Sequence, residues 1–142
     1  MLKRILIFCV CIISFDVAIY GQSDKETALI TQTLTDYIEG STEGQPDRLK
    51  KAFHKDLNLY SVKEGGLRVW SGKDYILDTK EGKPTGESGK ILSIDYEHDI
   101  AVAKVQISHP QAPVPYIDYF MLVKLSDGWK IVHKMYTKKV KK

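Results

Sequence analysis

Thiols are almost missing from this chain: among 142 residues only Cys9 and Cys11 are cysteines, and both lie in the first apolar run. The rest of the chain therefore has no disulfide, thiolate metal cage or cysteine nucleophile, and its stability must come from a packed core. Long apolar runs are also missing. The stretch Ile5 to Phe15 falls short of the roughly 20 residues that span a bilayer, and Asp16 ends it, so no stable membrane anchor is expected. Charge of one sign is scarce too: the formal net charge is +3, which gives no basis for expecting a nucleic-acid partner. The glycines form no phosphate-binding loop. His98 and His109 fall at strand ends without ligand spacing, so neither a metal nor another cofactor is expected.

What the N-terminus does have is Lys3 and Arg4 ahead of the apolar run, with the small residue Gly21 at a cleavage distance behind it. That is the grammar of a secretory signal peptide over 1–21, with cleavage near Gly21 and Gln22. The expected product is one exported domain, 22–142, periplasmic or secreted. Its length of about 121 residues is enough to bury a core without staples. Cys9 and Cys11 sit inside the apolar run, which argues against a lipidated N-terminus. Removing the leader takes the formal charge from +3 to +2. Lys134, Lys138, Lys139, Lys141 and Lys142 crowd the last nine residues and read as a solvated, frayed tail, with an anionic-surface patch as the alternative.

Ser23-Asp24-Lys25-Glu26 reads as a capping box opening helix one, in which Ile30, Leu34, Tyr37 and Ile38 recur at helical spacing up to Gly40. After the polar linker STEGQ, Pro46 starts a short helix two that ends near His54. LNLYSV and LRVW form a hairpin around Glu64-Gly65-Gly66. Ser71 and Asp74 cap a third short helix through Tyr75, Ile76 and Leu77, and KEGKPTGESG is a loop. From Lys90 onward the period is two. ILSIDY, IAVAKVQIS, IDYFMLVKL and WKIVHKMY are four successive antiparallel strands, with turns at Glu97-His98-Asp99 and Ser126-Asp127-Gly128. Both phases of these strands carry apolar residues: Ile117, Tyr119, Met121 and Val123 on one side, Phe120 and Leu122 on the other. Such a sheet needs two covers. Three short helices supply one, so a homodimer through the open sheet face is expected.

This order of elements resembles the nuclear transport factor 2-like superfamily. RLKKAFHKDLNLYSV, LRVWSGKDYI, ILSIDYEHDIAVAKVQI and DYFMLVKLSDGWKIVHKMY resemble, in the right order, the family called putative lumazine-binding. The resemblance spans nearly all of residues 26–138. It implies a cone-shaped α+β domain, with three helices from the N-terminal half packed on a strongly curved, mixed but mainly antiparallel six-stranded sheet that encloses a pocket. The family name implies pterin binding. The superfamily includes ketosteroid isomerases, scytalone dehydratase and polyketide cyclases. By that resemblance Tyr37 lies where the isomerases keep the tyrosine that donates to the substrate oxygen, but their proton-abstracting aspartate falls near Ser61. Serine cannot serve as that base.

The candidate ligand-binding residues are Tyr37, His54, Tyr60, Trp70, Tyr75, Asp118, Phe120 and His133. His54, in AFHKDLNLYSV, marks the corner between helix two and the first strand: either the lip of a pocket or a donor to the helix's terminal carbonyls, with Asp56 as a turn residue. Asp118 shares a phase with Phe120 and Leu122. An acid on such a face needs a partner or will be protonated. His133 is in phase with Trp129, Ile131 and Met135, where an imidazole is either a hydrogen-bonded core residue or a ligand contact. Three functions remain open. The first is a non-catalytic pocket for a small apolar or aromatic ligand. The second is an acid-base enzyme pairing His54 or His133 with Asp118 in one cavity. The third is an interaction protein whose cone is filled by Phe53, Leu57, Phe120 and Ile131. The sequence names no catalytic residue.

Overall fold

The protein is described here by a computed structural model covering residues 16–138, with side-chain surroundings from residue 25 onward. Most of the leader and the lysines beyond Lys138 lie outside the described residues. Helix α1 runs Asp16–Thr42, α2 Pro46–Ala52 and α3 Gly72–Asp78. The strands are β1 Phe53–Lys63, β2 Gly66–Ser71, β3 Ser88–Glu97, β4 Ile100–Ser108, β5 Tyr116–Leu125 and β6 Gly128–Lys138. They form one sheet in the order β2-β1-β6-β5-β4-β3, antiparallel throughout except that β1 and β6 run parallel.

Two boundaries differ from the sequence reading. Helix α1 is continuous through Ser23-Asp24-Lys25-Glu26 and on to Thr42, so this stretch is no helix start. Glu26 instead turns inward, where Lys124 and Trp129 donate to its carboxylate. Helix α2 stops at Ala52, and His54 is already the second residue of β1 rather than a helix terminus. The remaining punctuation is local chemistry. Glu64 and Gly65 both take positive φ, 53° and 79°, in the two-residue β1–β2 turn, a geometry glycine adopts at no steric cost. Ser71 Oγ accepts from the Asp74 amide at 3.0 Å and so caps α3.

Helix α1 lays Ile30, Leu34 and Tyr37, spaced by four and three residues, onto the concave face of the sheet. There they meet Ala101, Ala103, Val105, Ile107, Phe120, Leu122, Trp129 and Ile131, while α2 and β1 add Leu49, Phe53, Leu57 and Leu59. Burying a side chain of this size is worth about 1.5–3 kcal/mol, so this single cluster carries the fold. The other phase of the same strands is uncovered. Val102, Tyr119, Met121 and Met135 are each about half exposed on the convex face.

The alternation breaks once in β6. Met121 pairs with His133 but Leu122 pairs with Ile131, so Val132 is an extra residue, a β-bulge. Trp129 and Ile131 face inward before it, and Lys134 and Tyr136 face inward after it. His133 is thereby turned onto the convex face.

Candidate functional site

The concave side is closed by packing at one end and hollow at the other. Between α1, β1, β2, α3, β5 and β6 lies a cavity of about 290 Å³. Its walls are aromatic: Tyr37 from α1, Trp70 from β2, Tyr75 from α3, Tyr116 from β5 and Tyr136 from β6. Trp70 and Tyr75 meet edge to face at 5.1 Å, as do Tyr116 and Tyr136 at 6.4 Å. Tyr75 is tied to α1 by a 2.6 Å hydrogen bond with Ser41. A polar vestibule adjoins the cavity and shares Ser41, Trp70, Tyr75 and Glu87 with it.

The floor is polar. Asp118, on β5, and Lys134, on β6, form an ion pair of 2.9 Å with side chains only 2% and 6% exposed. Tyr37 Oη lies between them, donating to Asp118 Oδ2 at 2.6 Å and accepting from Lys134 Nζ at 2.5 Å. The ammonium also sits within 4.7–5.8 Å of the ring centres of Tyr37, Tyr75, Phe120 and Tyr136. Burial first, and then the neighbouring Tyr75 and Asp118, hold the Tyr37 phenol well above its ordinary pKa, so it stays a donor. Both protein donors converge on Oδ2. Among the described residues Oδ1 takes no side-chain or backbone donor, and no buried polar side-chain atom is left without a partner, so Oδ1 is a free acceptor reached from the cavity.

Of the eight candidates, the structure brings Tyr37, Trp70, Tyr75 and Asp118 together around this cavity. Phe120 packs beneath it, edge-on to Tyr37 at 4.9 Å. Three are elsewhere. Tyr60 and His133 stack on each other at 4.4 Å on the convex face, because Leu57 and Leu59 take the inward phase of β1 and the bulge turns His133 outward. His54 lines a separate groove outside the cone. It makes no bond to a helix carbonyl, since its Nδ1 accepts from the Asp56 amide at 3.3 Å. Neither imidazole thus shares a cavity with Asp118, which removes the acid-base pair the enzyme reading required. The filled cone is also corrected. Phe53, Leu57, Phe120 and Ile131 are buried as that reading asked, yet the mouth beyond them is open.

Sequence reasoning missed Lys134 by assigning it to the solvated tail, and missed Tyr116, Tyr136 and Arg68, the last of which also lines the cavity. A signal for Lys134 did exist: an acid on an apolar phase calls for a cation, and Lys134 is the lysine of the neighbouring strand that lies opposite Phe120, one pair from Tyr119 and two from Asp118.

The comparisons with known proteins follow this geometry. The putative lumazine-binding family matches residues 25–137. No curated protein matches the chain. Among solved structures, a nuclear transport factor 2-like protein of unknown function from Silicibacter pomeroyi is similar with 22% identity and a TM-score of 0.71, over 82% of this chain and 98% of that one. One from Shewanella baltica is similar with 21% identity and a TM-score of 0.71, over 83% and 97%. One from Methylobacillus flagellatus is similar with 24% identity and a TM-score of 0.69, over 82% and 94%. At these identities the structures speak for the fold alone. With a family match over most of its length, and three helices on a mixed six-stranded sheet that share the fold of nuclear transport factor 2-like structures, the chain belongs to the putative lumazine-binding family.

Proposed function

We propose that this chain is an exported small-molecule-binding protein that takes a flat, largely aromatic ligand into the mouth of its cone. The observation that carries this reading is the buried Asp118–Lys134 pair at the floor of an aromatic-walled cavity, with one carboxylate oxygen left over. Aromatic walls offer stacking faces, and a few fixed polar groups at the floor set orientation, which is the usual construction of a ligand pocket. The family's name points to a flat heterocycle of this kind. The aromatic walls support that class without singling out lumazine.

The test is native mass spectrometry of the mature domain from its own exporting host, with any small molecule released on denaturation identified. A stoichiometric aromatic compound supports the reading. An empty protein whose melting temperature no flat aromatic raises overturns it. N-terminal sequencing of the exported form tests the leader, with cleavage expected near Gly21. Such cleavage would trim α1 to begin near Gln22.

A second reading concerns assembly. Val102 pairs with Met121, Tyr119 with Met135, and Met135 with Tyr60, so the exposed apolar residues form one contiguous band across the convex face. We propose that a second copy covers it, since an apolar sheet face of this kind is rarely left in water. Sedimentation should give a dimer for the wild type and a monomer for Met121→Lys.

A further inference from the structure

Outside the cone, a groove of about 370 Å³ runs between the end of α2, the start of β1 and α3. Its floor is Phe53, Ile76 and Leu77, with Leu77 71% exposed. Gly72 sets its depth. A Cβ there would lie 3.0 Å from Leu57 Cβ, so any larger residue would push α3 and β1 apart by a few tenths of an ångström. The rim carries Lys50, Lys55, Lys73 and His54, and no carboxylate lines the groove. The nearby acids face other partners: Asp47 holds Lys50 at 2.8 Å, Asp74 is bound to the Ser71 hydroxyl at 2.7 Å, and Asp56 stands 3.7 Å from His54 Nδ1. Lys55 and Lys73 have no acidic partner among the described residues. Because His54 Nδ1 accepts the Asp56 amide, the neutral ring carries its proton on Nε2 and has a donor to offer.

An apolar floor beside the unpaired Lys55 and Lys73 is complementary to an amphiphilic anion such as a carboxylate at the end of an apolar chain. We infer that this groove binds a free amphiphilic carboxylate, its chain over Phe53, Ile76 and Leu77 and its head between Lys55 and Lys73. The site is separate from the cone cavity. Neither shares a lining residue with the other, so each reading stands or falls by itself.

Decanoate is the probe, with neutral decyl maltoside as its uncharged counterpart, both below their micellar concentrations and followed by amide chemical shifts of the full mature chain. Decanoate should move the amides of residues 53–56 and 72–78, and the Lys55→Glu/Lys73→Glu variant should weaken it at least about tenfold through loss and reversal of charge. Leu77→Ser, which leaves the rim intact, should weaken it as well. All three altered positions are at the surface, and an unchanged spectrum away from the groove verifies the fold. Equal affinity for decyl maltoside overturns the proposal, as does a shift pattern centred on Tyr37 and Lys134. Failure to bind free decanoate while co-sedimenting with phosphatidylglycerol vesicles overturns it in favour of membrane-surface binding.

Discussion

Two of the buried carboxylates among the described residues, Glu26 and Asp118, are held by the same three elements and have different fates. Glu26 on α1 is held by Lys124 from β5 at 2.6 Å and by Trp129 Nε1 from β6 at 3.0 Å. Asp118 on β5 is held by Tyr37 from α1 and Lys134 from β6. The two α1 positions are 11 residues apart, roughly 16 Å along the helix. At Glu26 each oxygen has its own donor, and Lys124 remains 38% exposed. At Asp118 both donors share one oxygen, the lysine is buried, and a cavity opens beside the other oxygen. Saturated valence with no space marks a clasp. Spare valence with space marks a site.

The sharpest way to break this contrast is to remove one lysine from each cluster. Lys134→Met strands the Asp118 charge in the interior and should cost about 3–5 kcal/mol in urea unfolding. Lys124→Met should cost clearly less, because water reaches that end. Adding Asp118→Leu to Lys134→Met should restore most of the loss, since an apolar replacement of both partners carries no orphan charge. If Lys124→Met proves the costlier change, the contrast is wrong.

Tyr37→Phe should cost about 1–2 kcal/mol, the loss of one hydroxyl between groups that still touch each other. Its effect on the affinity of any ligand identified in the cavity should exceed that of any substitution at Tyr60.

Acid sharpens the comparison from the other side. Glu26 is held below its ordinary 4.5 by hydrogen bonds from Lys124 and then Trp129. At Asp36 burial acts to raise the pKa, but hydrogen bonds from Lys51 and Arg48 outweigh it and bring it below 3.8. Both groups bind protons more weakly folded than unfolded, so their stabilisation is full above the unfolded values and is lost as pH falls through the lower, folded ones. The urea midpoint should therefore hold down to about pH 5 and then fall, and Glu26→Gln should flatten that fall at the cost of a lower plateau.

The smallest effect is expected at His133. His133→Ala removes a stack with Tyr60 on the convex face and should change stability by under about 1 kcal/mol, leaving cavity binding intact. A large loss of ligand affinity there would contradict the assignment of the floor to Lys134.

The fold was legible because its signals are local. Glu64-Gly65 and Ser126-Asp127-Gly128 announce turns, Ser71 announces α3, and the period-two runs from Lys90 announce strands. Glu26 misled because its spacing from Ser23 mimics a capping box, while its partners Lys124 and Trp129 lie about a hundred residues away. Half the candidate site was legible for the same reason. Asp118 stands out as an acid in an apolar phase, and Trp70 and Tyr75 flank a recognisable cap. Tyr60 was misread although Leu57 and Leu59 already occupy the inward phase of β1. His133 and Lys134 were exchanged because a bulge is a property of two strands in register, and Val132 looks no different in sequence from an ordinary strand residue.

That extra residue also decides what kind of chemistry the chamber holds. A regular β6 continuing from Ile131 would turn an imidazole and a thioether, His133 and Met135, toward the aromatic walls. The bulge presents Lys134 and Tyr136 in their place, and Lys134 reaches Asp118 at 2.9 Å. One extra residue in the strand thus decides which side chains line the chamber.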